Sequence, residues 1–316
     1  MKKKLNILVT GGAGFIGSHI VDAYIAAGHR VTVFDNLSTG KRSNVNSKAR
    51  FFGGDVQRWP DLDRLFYSSQ AYDVVNHHAA QIDVRKSVEY PLDDARANVL
   101  GTVNVLVAAR THKAKRIIFA SSGGACYGEC PRFMAEGDDM RPISPYGAGK
   151  LAGEGYAGAF HEMYRTPTVI LRYGNVYGPR QDGSKESGVI PIFMRKMLNG
   201  GRVDIFGDGE QVRDYVFVRD VAEANLRALD SPSGTFNVGS GRPSTVNAVY
   251  WTVGRACDIA APLLPRKRAA RRGEIRCSQM SVTKAGLRNG LNWMARTSLI
   301  DGIRETFLKE YGEVKP

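Results

Sequence analysis

The sequence predicts an α/β protein, a doubly wound parallel sheet followed by a smaller C-terminal lobe. Three observations carry this. Short β-branched runs alternate with longer helical stretches through the first half of the chain, the pattern of βαβ units around buried parallel strands. A glycine-rich turn, T-G-G-A-G-F-I-G at 10–17, joins the first run to the first helical stretch. From Tyr173 onward, glycine, proline and arginine crowd around shorter elements, which marks the change to a second lobe.

In order, residues 5–10 (LNILVT) read as a strand and 15–27 as a helix. Residues 30–34 (RVTVF) are a second strand, and a third precedes Asp55. Residues 73–76 are a short fourth strand, followed by a helix over 92–110. Residues 116–120 (RIIFA) are a fifth strand, 146–164 a helix, and 168–172 (TVILR) a sixth strand. Right-handed crossovers then place helices on both faces of the sheet. The first domain is expected over residues 1–172, with part of 214–240 returning to it. Residues 173–213 and 241–316 make the second lobe, closing over the carboxyl ends of the strands, where open parallel sheets bind ligands.

Composition narrows the functional classes. The chain has 316 residues, 43% apolar and 24% charged, ordinary for a globular enzyme. No apolar run approaches the roughly 20 residues that span a bilayer. The N-terminal MKKKLNILVT runs directly into glycines, so it reads as a first strand and not as a signal peptide. A cytoplasmic protein without a membrane partner is expected. Four cysteines (Cys126, Cys130, Cys257, Cys277) are too few for a disulfide framework, and Cys126 and Cys130 lack a second ligand pair, so no metal site is expected. The net charge of +13 attracts polyanions. The densest basic segment, Arg266, Lys267, Arg268, Arg271, Arg272 and Arg276, has no interleaved aromatics to stack single-stranded bases. It reads as a solvated basic loop, and nucleic acid is not the expected partner.

The glycine-rich turn carries a Rossmann-like dinucleotide site. Gly11 permits the tight turn, Gly14 lets the backbone approach a pyrophosphate, and Gly17 lets helix and strand pack closely. The helix opening at Phe15 and Ile16 presents its free N–H groups to the phosphates. Asp35 ends the second strand, close to the place, about 20 residues on, of the acid that holds ribose hydroxyls. Its charge favours NAD, because a 2′-phosphate would be repelled; Lys41 and Arg42 soften that preference. Asp55 and Val56 suit the adenine edge. His78, Ala79, Ala80 and Gln81 follow the fourth strand and line the cofactor, while the His77–His78 pair reads as packing and not as joint metal ligands.

Tyr146 and Lys150 form Y-x-x-x-K at a helix start, so they share one helix face. An ammonium near the phenol is expected to lower its pKa from about 10 toward working pH. Such a tyrosine can take a proton from a hydroxyl while hydride leaves the same carbon. Ser121-Ser122 precedes it, and a serine hydroxyl would bridge tyrosine and substrate.

With these motifs in place, the chain resembles the extended short-chain dehydrogenase/reductases, within them the NAD-dependent sugar epimerase/dehydratase group. The resemblance spans nearly the whole chain. Besides the motifs above, it rests on Asn98 with Gly101-Thr102, S-P-Y-G-A-G-K at 144–150, R-Y-G-N-V-Y-G-P-R at 172–180, G-V-I-P at 188–191, F-G-D-G-E-Q-V-R-D-Y-V-F-V at 206–218 and R-R-G-E at 271–274. It implies that Tyr146 is the acid/base, that Lys150 tunes it and holds the nicotinamide ribose, and that Ser122 supplies the neighbouring hydroxyl, with Ser121 the alternative. It adds Asn36, Ser38, Thr39, Gly40, Asn98 and Tyr173 to the cofactor site. On the substrate side it implies Asn175, Arg213 and Arg271 at a diphosphate, Glu274 at a uridine ribose, and Val189 and Ile205 bordering the nucleotide. Arginine suits a diphosphate because its planar fork binds bidentately.

Relatives that dehydrate or decarboxylate carry acids just after the catalytic hydroxyl, whereas this chain has Gly123-Gly124-Ala125-Cys126 there. That favours epimerisation at carbon 4 of a UDP-hexose through a transient 4-keto sugar, with NAD regenerated in place. Ser278 occupies the position that limits pocket size in related epimerases, so an N-acetylated sugar is also expected to fit. The resemblance implies a homodimer through helices at about 92–110 and 147–163; the glycines at 153, 155 and 158 are read as room for the partner helix. The alternatives are a UDP-glucuronate 4-epimerase, a 4-keto-sugar reductase, and a non-enzymatic dinucleotide-binding regulator.

Overall fold

The structure, a computed structural model, describes residues 4–68, 71–130, 132–182, 188–259, 262–271 and 274–312. Arg272 and Gly273 of the R-R-G-E motif therefore lie outside the described residues. Seven strands form one sheet in the order β11-β6-β5-β4-β1-β2-β3, and every pairing in it is parallel. They are β1 (Asn6–Thr10), β2 (Arg30–Asp35), β3 (Arg50–Gly53), β4 (Val74–His77), β5 (Arg116–Ser122), β6 (Thr168–Tyr173) and β11 (Gly234–Val238). Chain order reverses between β1 and β4, which opens a crevice at their carboxyl ends.

Helices cover both faces. On one side α1 (Phe15–Ala26) packs on α9 (Val218–Ala228) over a core that includes Ile7, Val9, Ile20, Val221 and Phe236. On the other, α2 (Trp59–Tyr67), α5 (Gly101–Thr111) and α7 (Pro145–Tyr164) cover Leu8, Phe34, Val75, Ile117 and Phe119. The central strands are apolar on both sides because both are buried. After Tyr173 the chain builds the lobe and also returns through α9 and β11, the latter pairing with β6.

The lobe holds β8 (Asp204–Phe206) beside β13 (Arg266–Arg268), and β12 (Ser244–Thr245), β9 (Val212–Arg213) and β14 (Cys277–Ser278) in a small sheet. Its core lies among α8 (Val189–Leu198), α10 (Val246–Ala256) and α12 (Leu299–Tyr311). A parallel pair, β7 (Asn175–Tyr177) with β10 (Tyr215–Phe217), leads into it. The remaining short helices are α3 (Val84–Glu89), α4 (Pro91–Ala95), α6 (Gly123–Cys126) and α11 (Thr283–Gly286).

Three expectations change. The helix over 92–110 is α4 and α5 joined by a π turn, Arg96–Leu100, an irregularity often found at functional sites. The basic loop is in part a strand: Arg266 and Arg268 of β13 both pair with Asp204, and Arg276 pairs with Asp208. Both serines lie within β5, which runs to Ser122.

Candidate active site

The glycine turn forms a cradle that only glycine can line. Gly11 has φ +69°, and a Cβ there would lie 2.6 Å from the Ala79 nitrogen; one on Gly17 would lie 2.2 Å from the Gly11 oxygen. Gly14 caps α1 in an extended conformation, and no side chain caps the helix. The N–H groups of its first turn are thus available to a diphosphate. Asp35 is buried at the end of β2, where its carboxylate accepts from the Ala13 and Leu37 N–H groups and keeps lone pairs for a ribose. Asn36 donates to Asp55, while Ser38 and Thr39 form the exposed rim beside them and Gly40 is half-buried against Ala13. These residues fit a dinucleotide.

Several residues expected at the cofactor are packed or hydrogen-bonded within the protein itself. Val56 belongs to the core under α5. Asn98, on the π turn, uses its amide on Gln81 and Asp94, and so fixes Gln81 after β4. Tyr173 is buried with its hydroxyl bonded to His78 and Asn225. His77 is held between Thr10 and Thr102. His78 stacks on Tyr173, and its buried Nδ1 has no partner among the described residues. Ala79 is tied to Thr10, and Ala80 follows it at partial exposure.

The catalytic candidates stand at the carboxyl end of β5. Ser144 caps α7 by accepting from the Gly147 N–H, and Pro145 opens the helix. The Tyr146 N–H donates to Ser87, so the first turn of α7 is held from two sides. The Ser122 side chain faces the Tyr146 hydroxyl closely enough to favour its ionisation. Ser121 instead donates to Glu154, 2.5 Å away, which settles which of the two hydroxyls faces Tyr146. Lys150 is buried, with Nζ donating to the Ala120 carbonyl at 3.0 Å. The expected lowering of the phenol is not found. Burial pushes the Tyr146 pKa above its ordinary value and outweighs the opposing effect of Ser122. Burial also lowers Lys150 to about 8, against the pull of Cys126, Asp94 and Glu154.

A buried cation costs stability, which gives a prediction. The folded lysine, at about 8, binds protons less readily than an ordinary lysine near 10.5. Its cost is full below pH 8 and fades as pH rises toward 10.5. Lys150→Met is expected to abolish turnover while raising the unfolding midpoint at pH 7 by about 2–4 °C, with a smaller gain at pH 9.5. Thermal unfolding at both pH values checks this, and a lowered midpoint at pH 7 would refute it.

On the lobe side, a Cβ on Gly124 would lie 3.5 Å from Asn175 Oδ1 and 3.7 Å from Ser278 Oγ. Asn175 and Ser278 of the lobe thus come together beside α6. Arg213 stands opposite Ser278 in the β9–β14 register. Arg271 lies over the Phe206 ring at 3.8 Å, and Glu274 accepts from Gln211. Val189 opens α8 at partial exposure, whereas the Ile205 side chain is only 1% exposed and packs inside the lobe. Burial, and then Arg85 of α3, hold the Arg271 guanidinium below its usual range. Arg85 was not singled out from sequence, since a lone arginine on a short helix carries no motif. Glu129 accepts from the N–H groups of Arg276 and Cys277. Among the described residues no three His, Cys, Asp or Glu side chains converge on a metal position.

The chain matches the NAD dependent epimerase/dehydratase family over residues 7–239. Its structure is similar to that of Thermotoga maritima UDP-glucose 4-epimerase with UDP-glucose, at 42% identity and TM-score 0.92, covering 96% of this chain and 98% of that one. Thermus thermophilus UDP-glucose 4-epimerase in complex with NAD gives 41% and 0.90 over 98% and 100%. UDP-N-acetylglucosamine 4-epimerase from Methanobrevibacter ruminantium, in complex with UDP-N-acetylmuramic acid, gives 35% and 0.90 over 97% and 98%.

Proposed function

Because the chain belongs to the NAD dependent epimerase/dehydratase family, we propose that it inverts carbon 4 of a UDP-hexose, with NAD as resident cofactor. UDP-glucose and UDP-galactose are the primary pair, and the N-acetylated pair is also accommodated. One observation carries the choice of reaction: the site offers a single proton-transfer centre. No acid follows Ser122 in α6. The nearby carboxylates are engaged: Glu154 by Arg172 and Ser121, Asp94 by Gln81 and Asn98, Glu129 by two main-chain N–H groups. Elimination or decarboxylation needs a further acid or base; epimerisation does not.

Bound NAD supplies the reversible hydride acceptor such an inversion requires. Tyr146, as the phenolate, takes the C4 hydroxyl proton and, as the phenol so formed, later returns it, and Ser122 bridges it to the sugar oxygen. Lys150 provides positive charge one turn away. The 4-keto sugar must present both faces, so the grip belongs on the diphosphate, to Arg213, Arg271 and Asn175. The small side chains of Gly124 and Ser278 leave room beside the sugar.

The test is NMR of the purified protein with UDP-glucose, UDP-N-acetylglucosamine and UDP-glucuronate, without added cofactor. UDP-galactose and UDP-N-acetylgalactosamine are expected to form. Conversion of none of the three, even with NAD added, would overturn the reaction.

We place the protein in the cytoplasm as a homodimer. The free cysteines suit a reducing compartment, and no helix of the described residues is long and apolar enough to cross a membrane. The helices at 91–111 and α7 leave Leu92 (71% exposed), Leu100, Tyr156 and Met163 open to solvent, and Gly155 and Gly158 have open space beside them. Large exposed apolar side chains on adjacent helices are characteristic of a self-association surface. Leu100→Glu with Tyr156→Glu is expected to give a monomer by analytical ultracentrifugation; a wild-type monomer would refute the assignment.

A further inference from the structure

Tyr146, Lys150 and Glu154 follow one another at four-residue spacing and form one stripe along α7. The stripe meets three consecutive residues of β5. Tyr146 faces Ser122, Lys150 bonds the Ala120 carbonyl, and Glu154 Oε1 accepts the Ser121 hydroxyl. The helix can sit this close because residue 153 is glycine: a Cβ there would lie 2.6 Å from the Phe119 ring. Gly153 therefore serves packing within the chain and not, as expected from sequence, a partner helix.

Glu154 is clamped from behind. Arg172 donates from Nε to both its oxygens, at 2.9 and 3.1 Å, and from Nη2 at 2.7 Å. Both side chains are about 95% buried. Arg172 stands directly opposite Ser121 in the β5–β6 register. Its Nη1 also donates to the Tyr127 hydroxyl and the Glu136 carbonyl, and Tyr127 donates on to Asn237 of β11. None of these groups is needed for proton transfer in the scheme above.

We infer that Ser121 and the Glu154–Arg172 pair are positioning residues that fix how Ser122 and Tyr146 face each other. Two adjacent hydroxyls end β5, and successive strand residues point to opposite faces. A slip of one residue would exchange them. Accepting the Ser121 proton binds that hydroxyl to α7, so the strand presents Ser122, and only Ser122, to the phenol. The bidentate arginine holds the carboxylate in one orientation, as a single-point contact would not.

The activity readout of the test rests on the epimerase reading; the spectroscopic one does not. Full-length wild type, Ser121→Ala, Ser122→Ala and the double variant are compared for 4-epimerisation of UDP-glucose. Ser121→Ala is expected to lower kcat by about tenfold to a hundredfold, with KM, bound NAD and unfolding midpoint little changed. In the Ser122→Ala background the same change should cause no further loss, because no hydroxyl is left to aim. In parallel, the 13Cζ resonance of Tyr146, assigned with Tyr146→Phe, should move in Ser121→Ala but not between Ser122→Ala and the double variant. Wild-type kcat in Ser121→Ala, or multiplicative losses in the double variant, would overturn the inference. If the wild type turns over no UDP-sugar, the reaction fails and the resonance alone decides: an unmoved signal in Ser121→Ala overturns the positioning role.

Discussion

Tyr146→Phe lowers kcat by about a hundredfold to ten-thousandfold, the range of a lost acid/base group, with little change in KM for UDP-glucose or in bound NAD. The phenylalanine ring keeps the packing of the tyrosine, and the N–H of residue 146 still reaches Ser87, so the helix start stays in place. What disappears is the one hydroxyl paired with Ser122. The neighbouring groups do not replace it. Lys150 is drawn to the Ala120 carbonyl, His77 is held by two threonines, and the Cys126 thiol is pushed up to about 11 by burial. A loss in kcat without a loss in KM identifies an interaction made in the transition state alone. The measurement is initial-rate NMR or coupled turnover together with NAD released on denaturation. A variant keeping more than a tenth of wild-type kcat would remove Tyr146 from the acid/base role.

That the phenol lies high in the protein alone bears on how the site works. The four-residue spacing argument, lysine beside tyrosine on one helix face, treats the pair as isolated in water. In the fold both are buried, and burial disfavours each charged form: it raises the tyrosine and lowers the lysine. The site is therefore poised as a neutral phenol beside a readily discharged amine. Positive charge added beside the phenol would favour its ionisation again.

Much of this was legible in the chain, for reasons that residues make plain. Gly11 and Gly17 announce the cradle because no other side chain fits, and the β-branched runs announce parallel strands because both their faces are buried. Alternation along β5 says that Ser121 and Ser122 face opposite ways, but not which faces Tyr146; Glu154 decides that from α7. Apolar residues carry no mark of which neighbour they touch, so Val56 and Ile205 read equally as ligand contacts or core, and in the protein alone both pack within core clusters. The π turn at 96–100 is a single extra residue per turn in an otherwise helical pattern, too slight to see. The Glu154–Arg172 pair is invisible because its partners are brought together only by the docking of α7 on β5 and β6.

That pair also gives the largest effect expected on stability. Arg172→Met leaves the Glu154 carboxylate buried with the Ser121 hydroxyl as its one remaining hydrogen-bond partner among the described residues, and breaking such a pair from one side costs about 3–5 kcal/mol. Replacing both members, Glu154→Leu with Arg172→Met, removes the uncompensated charge, so the double variant is expected to be more stable than Arg172→Met alone. It does not return fully to wild type, because Ser121, Tyr127 and the Glu136 carbonyl each lose a buried partner, at about 1–3 kcal/mol for each group left unsatisfied. Urea denaturation of the two variants decides it: losses that simply add would mean the charges do not compensate one another. Turnover then separates the two roles of the pair. A double variant with recovered stability but depressed kcat is the expected result, since an apolar pair can fill the space beneath β5 but offers Ser121 no acceptor, and the strand end is no longer bound to the helix that carries Tyr146.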